Sequence, residues 1–273
     1  MDVPEEHEAI VHTNDEALSC RIALDMSGMF PDPFARLFQR HVHYEPTSPL
    51  ILRASTEPVQ VVTLGAGFDT RWHRLYDQLA NVTRYLEIDF REVVHKKQRI
   101  LGQQMPSQDP RYAMAAFDME QDDQALLEFL QINSLSLGVK TIFIAECFLM
   151  YLGQLRVQRL LTTLSMHFPI GSQVILYDAA FIENDRFSSF MVENFARRNI
   201  RLDPFWVLSP EQICNVWAPV WTTLDLQNMS NLEQSPYLTE DDKLILRTRS
   251  ILDEYEEWAL VSSHYYLAIL NKQ

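Results

Sequence analysis

The sequence predicts an α/β fold with a mostly parallel central sheet flanked by helices. Three observations carry that expectation. Five short runs rich in β-branched and aromatic residues, beginning at Val59, are separated by segments of helical periodicity. The first run ends in a glycine turn, Gly65-Ala66-Gly67. Acidic residues then recur where the following runs end, at Asp89, Asp118 and Glu146.

Met1 to Glu16 is polar and expected to be partly mobile. Ala17 to Met29 reads as a helix, with Ala17, Leu18, Ile22, Leu24 and Met26 sharing a broad apolar face. Pro31 and Pro33 end it, because proline disfavours helical geometry in the residue before it. Phe34 to His43 is a second short helix, and the proline-bearing stretch Tyr44 to Pro58 is loop-like or extended. Val59 to Leu64 is the first buried strand, and Thr70 to Gln78 the helix after it. Strands follow at Thr83 to Ile88, Ala113 to Phe117, Val139 to Ala145 and Gln173 to Tyr177. Helices lie between them at Arg91 to Gln104, Asp122 to Ile132 and Gly153 to His167. The alternation implies βαβ units with right-handed crossovers. Beyond Tyr177 it loosens: Arg186 to Arg198 and, more briefly, Pro210 to Trp217 read as helical. Trp221 to Leu226 and Ser262 to Leu270 read as strands of a final hairpin capping the sheet. The whole, 1–273, is taken as one domain: an N-terminal region to 58, a core from 59 to 177 and an added region from 178.

Composition excludes several classes. A formal net charge of -14 opposes polyphosphate backbones and anionic membrane surfaces. The two basic clusters, His95-Lys96-Lys97 with Arg99 and Arg197-Arg198 with Arg201, read as solvated helix faces. Neither a nucleic acid nor a membrane is therefore an expected partner. Cys20, Cys147 and Cys214 are odd in number and share no metal-ligand spacing, so neither a disulfide framework nor a structural metal is expected. The acidic start is not an apolar leader, and no run approaches membrane-spanning length. These features together predict a reducing, cytoplasmic setting. His-Glu-x-x-His, the P-loop and the Gly-x-Ser-x-Gly elbow are absent, and His167 and His264 stand in apolar contexts that suit core residues.

Chemistry concentrates at the strand ends. In Leu64-Gly65-Ala66-Gly67-Phe68-Asp69-Thr70 the glycines permit a tight turn and close backbone approach to a ligand. A dinucleotide fingerprint wants a third glycine where Thr70 stands, so a ligand without a pyrophosphate fits better. Asp89 lies 22 positions beyond Gly67, well placed to accept hydrogen bonds from vicinal ribose hydroxyls. It also suits the N-cap of the helix that follows. Asp118-Met119 pairs a carboxylate for an exocyclic amine with an apolar side chain for a ring, although Asp118 equally suits a helix N-cap. Glu146 ends the fourth run, either facing a ligand or paired with a basic residue. A nucleoside carrying a cationic group satisfies all four segments, and S-adenosyl-L-methionine is such a molecule.

In this order the segments resemble the leucine carboxyl methyltransferase family. Asn14 to Arg21 and Asp32-Pro33-Phe34 are similar to its N-terminal helix and its end. Leu64 to Thr70, followed by Trp72 and Arg74-Leu75, is similar to its glycine loop. Tyr85 to Phe90, Asp118 and Ile144 to Tyr151 match in spacing, and Asp185-Arg186-Phe187 through Arg198 resembles its substrate-side insertion. The resemblance implies a class I Rossmann-like methyltransferase with N-terminal helices. It implies S-adenosyl-L-methionine as cofactor, no metal, and the C-terminal tail of a type 2A protein phosphatase catalytic subunit as acceptor. It places Gly65, Gly67, Asp89, Asp118, Met119 and Glu146 in the cofactor pocket. Arg21 stands where the family has a lysine near the methionine carboxylate. The family's two-arginine segment and a helix before the first strand are shortened here, since Pro49-Leu50-Ile51-Leu52-Arg53 runs almost directly into Val59. Arg21 and Arg53 are thus the candidates for orienting carboxylates. A relic that binds cofactor or phosphatase without transfer, and a methyltransferase for another carboxylate or a tRNA base, are the alternatives.

Overall fold

Each strand of the core can be traced to a run of residues that loses little by being buried on both faces. In a computed structural model, residues 9–10, 57–102, 109–182, 184–202, 220–234 and 255–272 are described, with 212, 217, 238, 240, 243 and 244. The expected elements at Ala17–Met29 and Phe34–His43, and most of Tyr44–Pro58 and Pro210–Trp217, lie outside the described residues. Strand β1 (Val59–Leu64) is buried along its whole length. Val59 and Val61 join a cluster with Trp72, Leu79 and Tyr85. Val62 and Leu64 join the larger cluster on the opposite face, with Leu86, Ile88 and Phe143. A strand apolar on both faces needs a helical layer on each side, which the alternating order supplies.

The other strands are β2 (Val82–Asp89), β3 (Tyr112–Ala116), β4 (Thr141–Glu146), β5 (Gln173–Ala179), β6 (Thr222–Asn228) and β7 (Tyr265–Asn271). They form one sheet of seven in the order β3-β2-β1-β4-β5-β7-β6. β1 to β5 run parallel. β6 and β7 pair antiparallel at the end of the sheet, as expected of its last two strands, with β7 on the inside against β5. The order reverses at β1, and the open crevice lies there, beyond the carboxyl ends of β1 and β4.

The helices are α1 (Arg71–Leu75), α2 (Arg91–Gly102), α3 (Asp123–Ile132), α4 (Gln154–His167), α5 (Arg186–Arg197) and α6 (Tyr255–Ser262). α1 stops three residues earlier than its periodicity suggests, because the Gln78 amide closes a tight turn onto the Leu75 carbonyl at 2.8 Å. Asp122 caps α3 by accepting from the Ala125 amide at 2.8 Å, and Asp185 caps α5 by accepting from Ser188 at 2.7 Å. Three expectations need correction. Ser262 belongs to α6, whose Glu-Glu-Trp-Ala-Leu run favours a helix, and the last strand begins only at Tyr265. Trp221 is not in β6: its ring is buried and its Nε1 donates to the Leu161 carbonyl of α4 at 2.9 Å. His167 is exposed at the end of α4, and Phe168 takes the buried position beside it. His264 is buried as expected, its Nε2 3.0 Å from Asp185.

One buried polar group lies behind the sheet. Lys97 of α2, 1% exposed, reaches Glu87 of β2 at 2.5 Å, and Tyr112 of β3 donates to the same carboxylate oxygen at 2.9 Å. These bonds tie α2 to the second and third strands whose tips frame the crevice.

Candidate functional site

The crevice is a cleft of about 70 Å³, continuous with solvent, at the carboxyl ends of the strands. Its floor begins where β1 turns out of the sheet. Gly65 and Gly67 have φ of 63° and 48°, left-handed values that cost a residue with a side chain about 1 kcal/mol or more. The Ala66 amide donates to the Ile88 carbonyl at 3.0 Å, and the Gly67 amide to Asp89 Oδ2 at 2.6 Å. A Cβ on residue 65 would lie 2.2 Å from Cδ2 of Phe148, so the aromatic ring rests directly against the bare glycine backbone. The glycines therefore serve both the turn and the close approach.

Asp89, at the tip of β2, is 9% exposed and borders the cleft. Its Oδ1 accepts from the Phe90 amide at 2.7 Å. Burial pushes its carboxyl up to about 6, against the lowering effect of the Gly67 and Phe90 amides. Each oxygen keeps a second lone pair for a ligand. Asp118 and Met119 border the cleft beyond β3. Asp118 does not cap α3, which Asp122 does; its Oδ1 accepts from the Glu120 amide at 3.0 Å and shapes the turn. Arg156 of α4, 7% exposed, holds this turn by donating to the Met119 carbonyl and to Asp123.

Glu146 stands one step back from the cleft. Its Oε2 accepts from Arg71 at 2.5 Å, and Arg71 also lies 3.5 Å from Asp69. Burial alone would pull the Arg71 guanidinium down, but the carboxylates of Asp69 and Glu146 outweigh it and hold it above its ordinary value. The pair joins the glycine loop to the end of β4 across 75 residues of sequence. The basic partner that the sequence left open for Glu146 is thus Arg71. After Glu146 the chain reverses through Cys147, at φ 48°, into a 3-10 turn at Leu149–Tyr151.

The structure thus brings Gly65, Asp89, Asp118 and Met119 to the cleft itself, with Gly67 and Glu146 just behind it. Arg21 and Arg53 lie outside the described residues. Sequence reasoning missed Phe90, Glu120, Cys147, Phe148 and Tyr151, which also border the cleft. Each lies one to five positions past a strand end, a signal that could have found them. Tyr151 meets Phe195 of α5 edge-on at 6.1 Å, so the added region closes against the cleft wall. Among the described residues no group of three His, Cys, Asp or Glu side chains is placed to hold a metal ion. No described helix is long and apolar enough to cross a membrane. Chemically, three carboxylates (Asp89, Asp118, Glu120) in an otherwise apolar cleft suit a flat base, a sugar and a positive charge.

The sheet order and the cleft at its reversal point define a Rossmann-like class I methyltransferase fold. Solved structures share it: a DUF574 family protein from Streptomyces avermitilis (TM-score 0.57, 12% identity, covering 98% of this chain and 83% of that one). Another is phosphoethanolamine N-methyltransferase 2 from Haemonchus contortus in complex with S-adenosyl-L-methionine (TM-score 0.52, 12% identity, 93% of this chain and 60% of that one). Residues 49–165 match the leucine carboxyl methyltransferase family model. Leucine carboxyl methyltransferase 1 of Eremothecium gossypii is 30% identical over 231 residues, 77% of this chain and 69% of the relative. The Arabidopsis thaliana homolog of that enzyme is 24% identical over 298 residues, 94% of this chain and 87% of the relative. The chain belongs to the leucine carboxyl methyltransferase family.

Proposed function

We propose that this chain is an S-adenosyl-L-methionine-dependent carboxyl O-methyltransferase that esterifies the C-terminal leucine of a type 2A protein phosphatase catalytic subunit. The observation that carries the cofactor is Asp89, a buried carboxylate bordering the cleft with lone pairs still open. The acceptor rests on family membership and on relatives named for leucine carboxyl methylation.

The residues present fit that cofactor. The bare backbone of Gly65 allows close approach, Asp89 would accept from ribose hydroxyls, Asp118 from the exocyclic amine, and Met119 would pack on the base. When bound, S-adenosyl-L-methionine supplies a methyl carbon made electrophilic by its positive sulfur. The protein's own work is then alignment and exclusion of water. A leucine carboxylate is already ionised at neutral pH, so no side chain has to remove a proton from it. Arg21 and Arg53 are proposed to orient the two carboxylates, by bidentate hydrogen bonds that fix direction as well as charge. Tyr151 and the facing α5 would help to keep the cleft dry, where loss of charge separation is favoured. A cytoplasmic setting is part of the same proposal.

The experiment is transfer of labelled methyl from S-adenosyl-L-methionine to a phosphatase catalytic subunit, with and without its last leucine. Base-labile label that requires the leucine is the expected result. Cofactor binding without transfer would overturn the acceptor. A tRNA arm belongs in the same assay, since tRNA wybutosine-synthesizing protein 4 of Homo sapiens is 24% identical over 95% of this chain, which spans 43% of that protein.

A further inference from the structure

The wall of the cleft that follows β4 is held from below by a carboxylate that does not itself border the cleft. Cys147 leaves β4 in a left-handed conformation, with its amide donating to the Tyr177 carbonyl of β5 at 2.7 Å. The chain then enters the Leu149–Tyr151 turn. The first amides of any such turn have no partner within it. The residue at the cap position, Phe148, has no side-chain acceptor to offer. Asp178, on the neighbouring strand β5 and 2% exposed, supplies one instead. Its Oδ2 accepts from the Met150 amide at 3.2 Å, the Leu149 amide bonds to the same carboxylate, and Oδ1 accepts from Ala179 at 3.0 Å.

Resting on the function proposed above, we infer that Asp178 is a positioning residue of the methyl-transfer site: as a carboxylate it fixes the turn that carries Phe148 and Tyr151 to the cleft. Phe148 meets the glycine loop and Tyr151 meets α5. Slippage of this one turn would therefore shift the cofactor side and the acceptor side together, and transfer is sensitive to displacements of about 1 Å. Burial pushes the Asp178 carboxyl up to about 7, opposed by its three backbone amides. The hold should therefore weaken on mild acidification. Other titratable groups face this region: Cys147 on the turn, Tyr177 on β5, and His264, Tyr265 and Tyr266 where β7 pairs with β5, with His264 bound to Asp185. Asp89 titrates lower, near 6.

The test compares the full chain with Asp178→Asn by calorimetric titration of S-adenosyl-L-methionine from pH 8 to pH 6.5, with thermal unfolding checking that the variant folds. Wild-type affinity is expected to fall about fourfold over that range, the change for a required carboxylate ionising near 7. Asp178→Asn is expected to bind about tenfold more weakly at pH 8 and to lose most of the pH dependence. A second reading needs no variant: the Leu149 and Met150 amide proton shifts, followed by NMR, should report one shared titration near 7. Wild-type-like affinity in Asp178→Asn, or amide shifts unmoved by pH, would overturn the positioning role alone. A wild-type chain that binds no S-adenosyl-L-methionine at any pH would overturn the proposed function, and the positioning role with it.

Discussion

Replacing Gly65 by alanine tests whether the glycine loop is shaped by its own backbone or by what rests on it. Two costs are expected. The residue sits at φ 63°, where a Cβ crowds its own backbone, for about 1–2 kcal/mol. The new methyl would also lie 2.2 Å from Phe148 Cδ2 and 2.7 Å from Cγ, so the ring must move. Overpacking of that kind costs about 1–3 kcal/mol. The single variant should therefore lose roughly 2–5 kcal/mol, the sum of those two ranges. Phe148→Ala removes the ring and hence the second cost, but leaves the first. In Gly65→Ala/Phe148→Ala the losses should fall short of additivity by about 1 kcal/mol or more, since residues in contact couple. Urea unfolding of the four proteins at one pH measures the cycle, and titration of S-adenosyl-L-methionine shows whether affinity follows. Additivity within about 0.5 kcal/mol, the behaviour of independent sites, would refute the claim that Phe148 packs on the bare glycine.

Three further outcomes are expected. Arg71→Met takes the cation from the buried Asp69 and the partly buried Glu146, and should cost about 3 kcal/mol in urea unfolding, the lower end of the range for breaking a buried pair. Adding Glu146→Leu should recover part of that loss; no recovery would mean that Arg71 matters for something other than the pair. Asp89→Ala should weaken S-adenosyl-L-methionine binding at least tenfold in a calorimetric titration, while leaving a cooperative melting transition. Stability should rise, not fall, as the pH is lowered from 7.5 to 5.5. Glu87, Asp89 and Asp178 ionise near 6, 6 and 7 in the fold, raised mainly by burial, and near 4 in an unfolded chain. Within that window the native state binds more protons than the unfolded one, so each group contributes up to about 1.4 kcal/mol per pH unit on acidification. A urea midpoint that drops between pH 7.5 and 5.5 would contradict it.

The parts of this molecule that could be read from sequence are those that depend on neighbouring residues. β1 was bounded correctly because Val59 to Leu64 is apolar on both faces and ends in a glycine that must turn. The carboxylates were singled out because a parallel sheet meets its ligands at strand ends, and Asp89, Asp118 and Glu146 lie at or just past the ends of β2, β3 and β4. What stayed hidden was pairing at long range. Nothing local marks Arg71 as the partner of Glu146, which is 75 positions away, or Trp221 as a donor to a carbonyl 60 positions earlier. The insertion of β7 between β5 and β6 was hidden for the same reason. β7 is the apolar strand of the two and β6 the mostly polar one, which suits an inner and an edge place, but neither run names its partner strand.

That division has a functional consequence. Of the four predicted residues that reach the cleft, Asp89 ends β2 and the other three lie on turns just past strand ends, and a turn alone holds no fixed position. Each turn is held by a group from elsewhere in the chain. The Asp89 carboxylate holds the Gly67 amide, Arg156 of α4 holds the Met119 carbonyl, Arg71 holds Glu146, and Asp178 of β5 holds the amides after Cys147. All four holding groups are ionisable side chains nearly removed from water, a costly arrangement that hydrophobic residues of similar volume could replace if stability were all that mattered. Hydrophobic replacements would not aim individual amides and carbonyls. Directional hydrogen bonds do, and a methyl transfer that needs three atoms in line depends on direction more than on packing. Variants of the holding groups should therefore lose activity out of proportion to their loss of stability, whereas large-to-small changes at Val62 or Leu86, buried and not lining the cleft, should do the reverse.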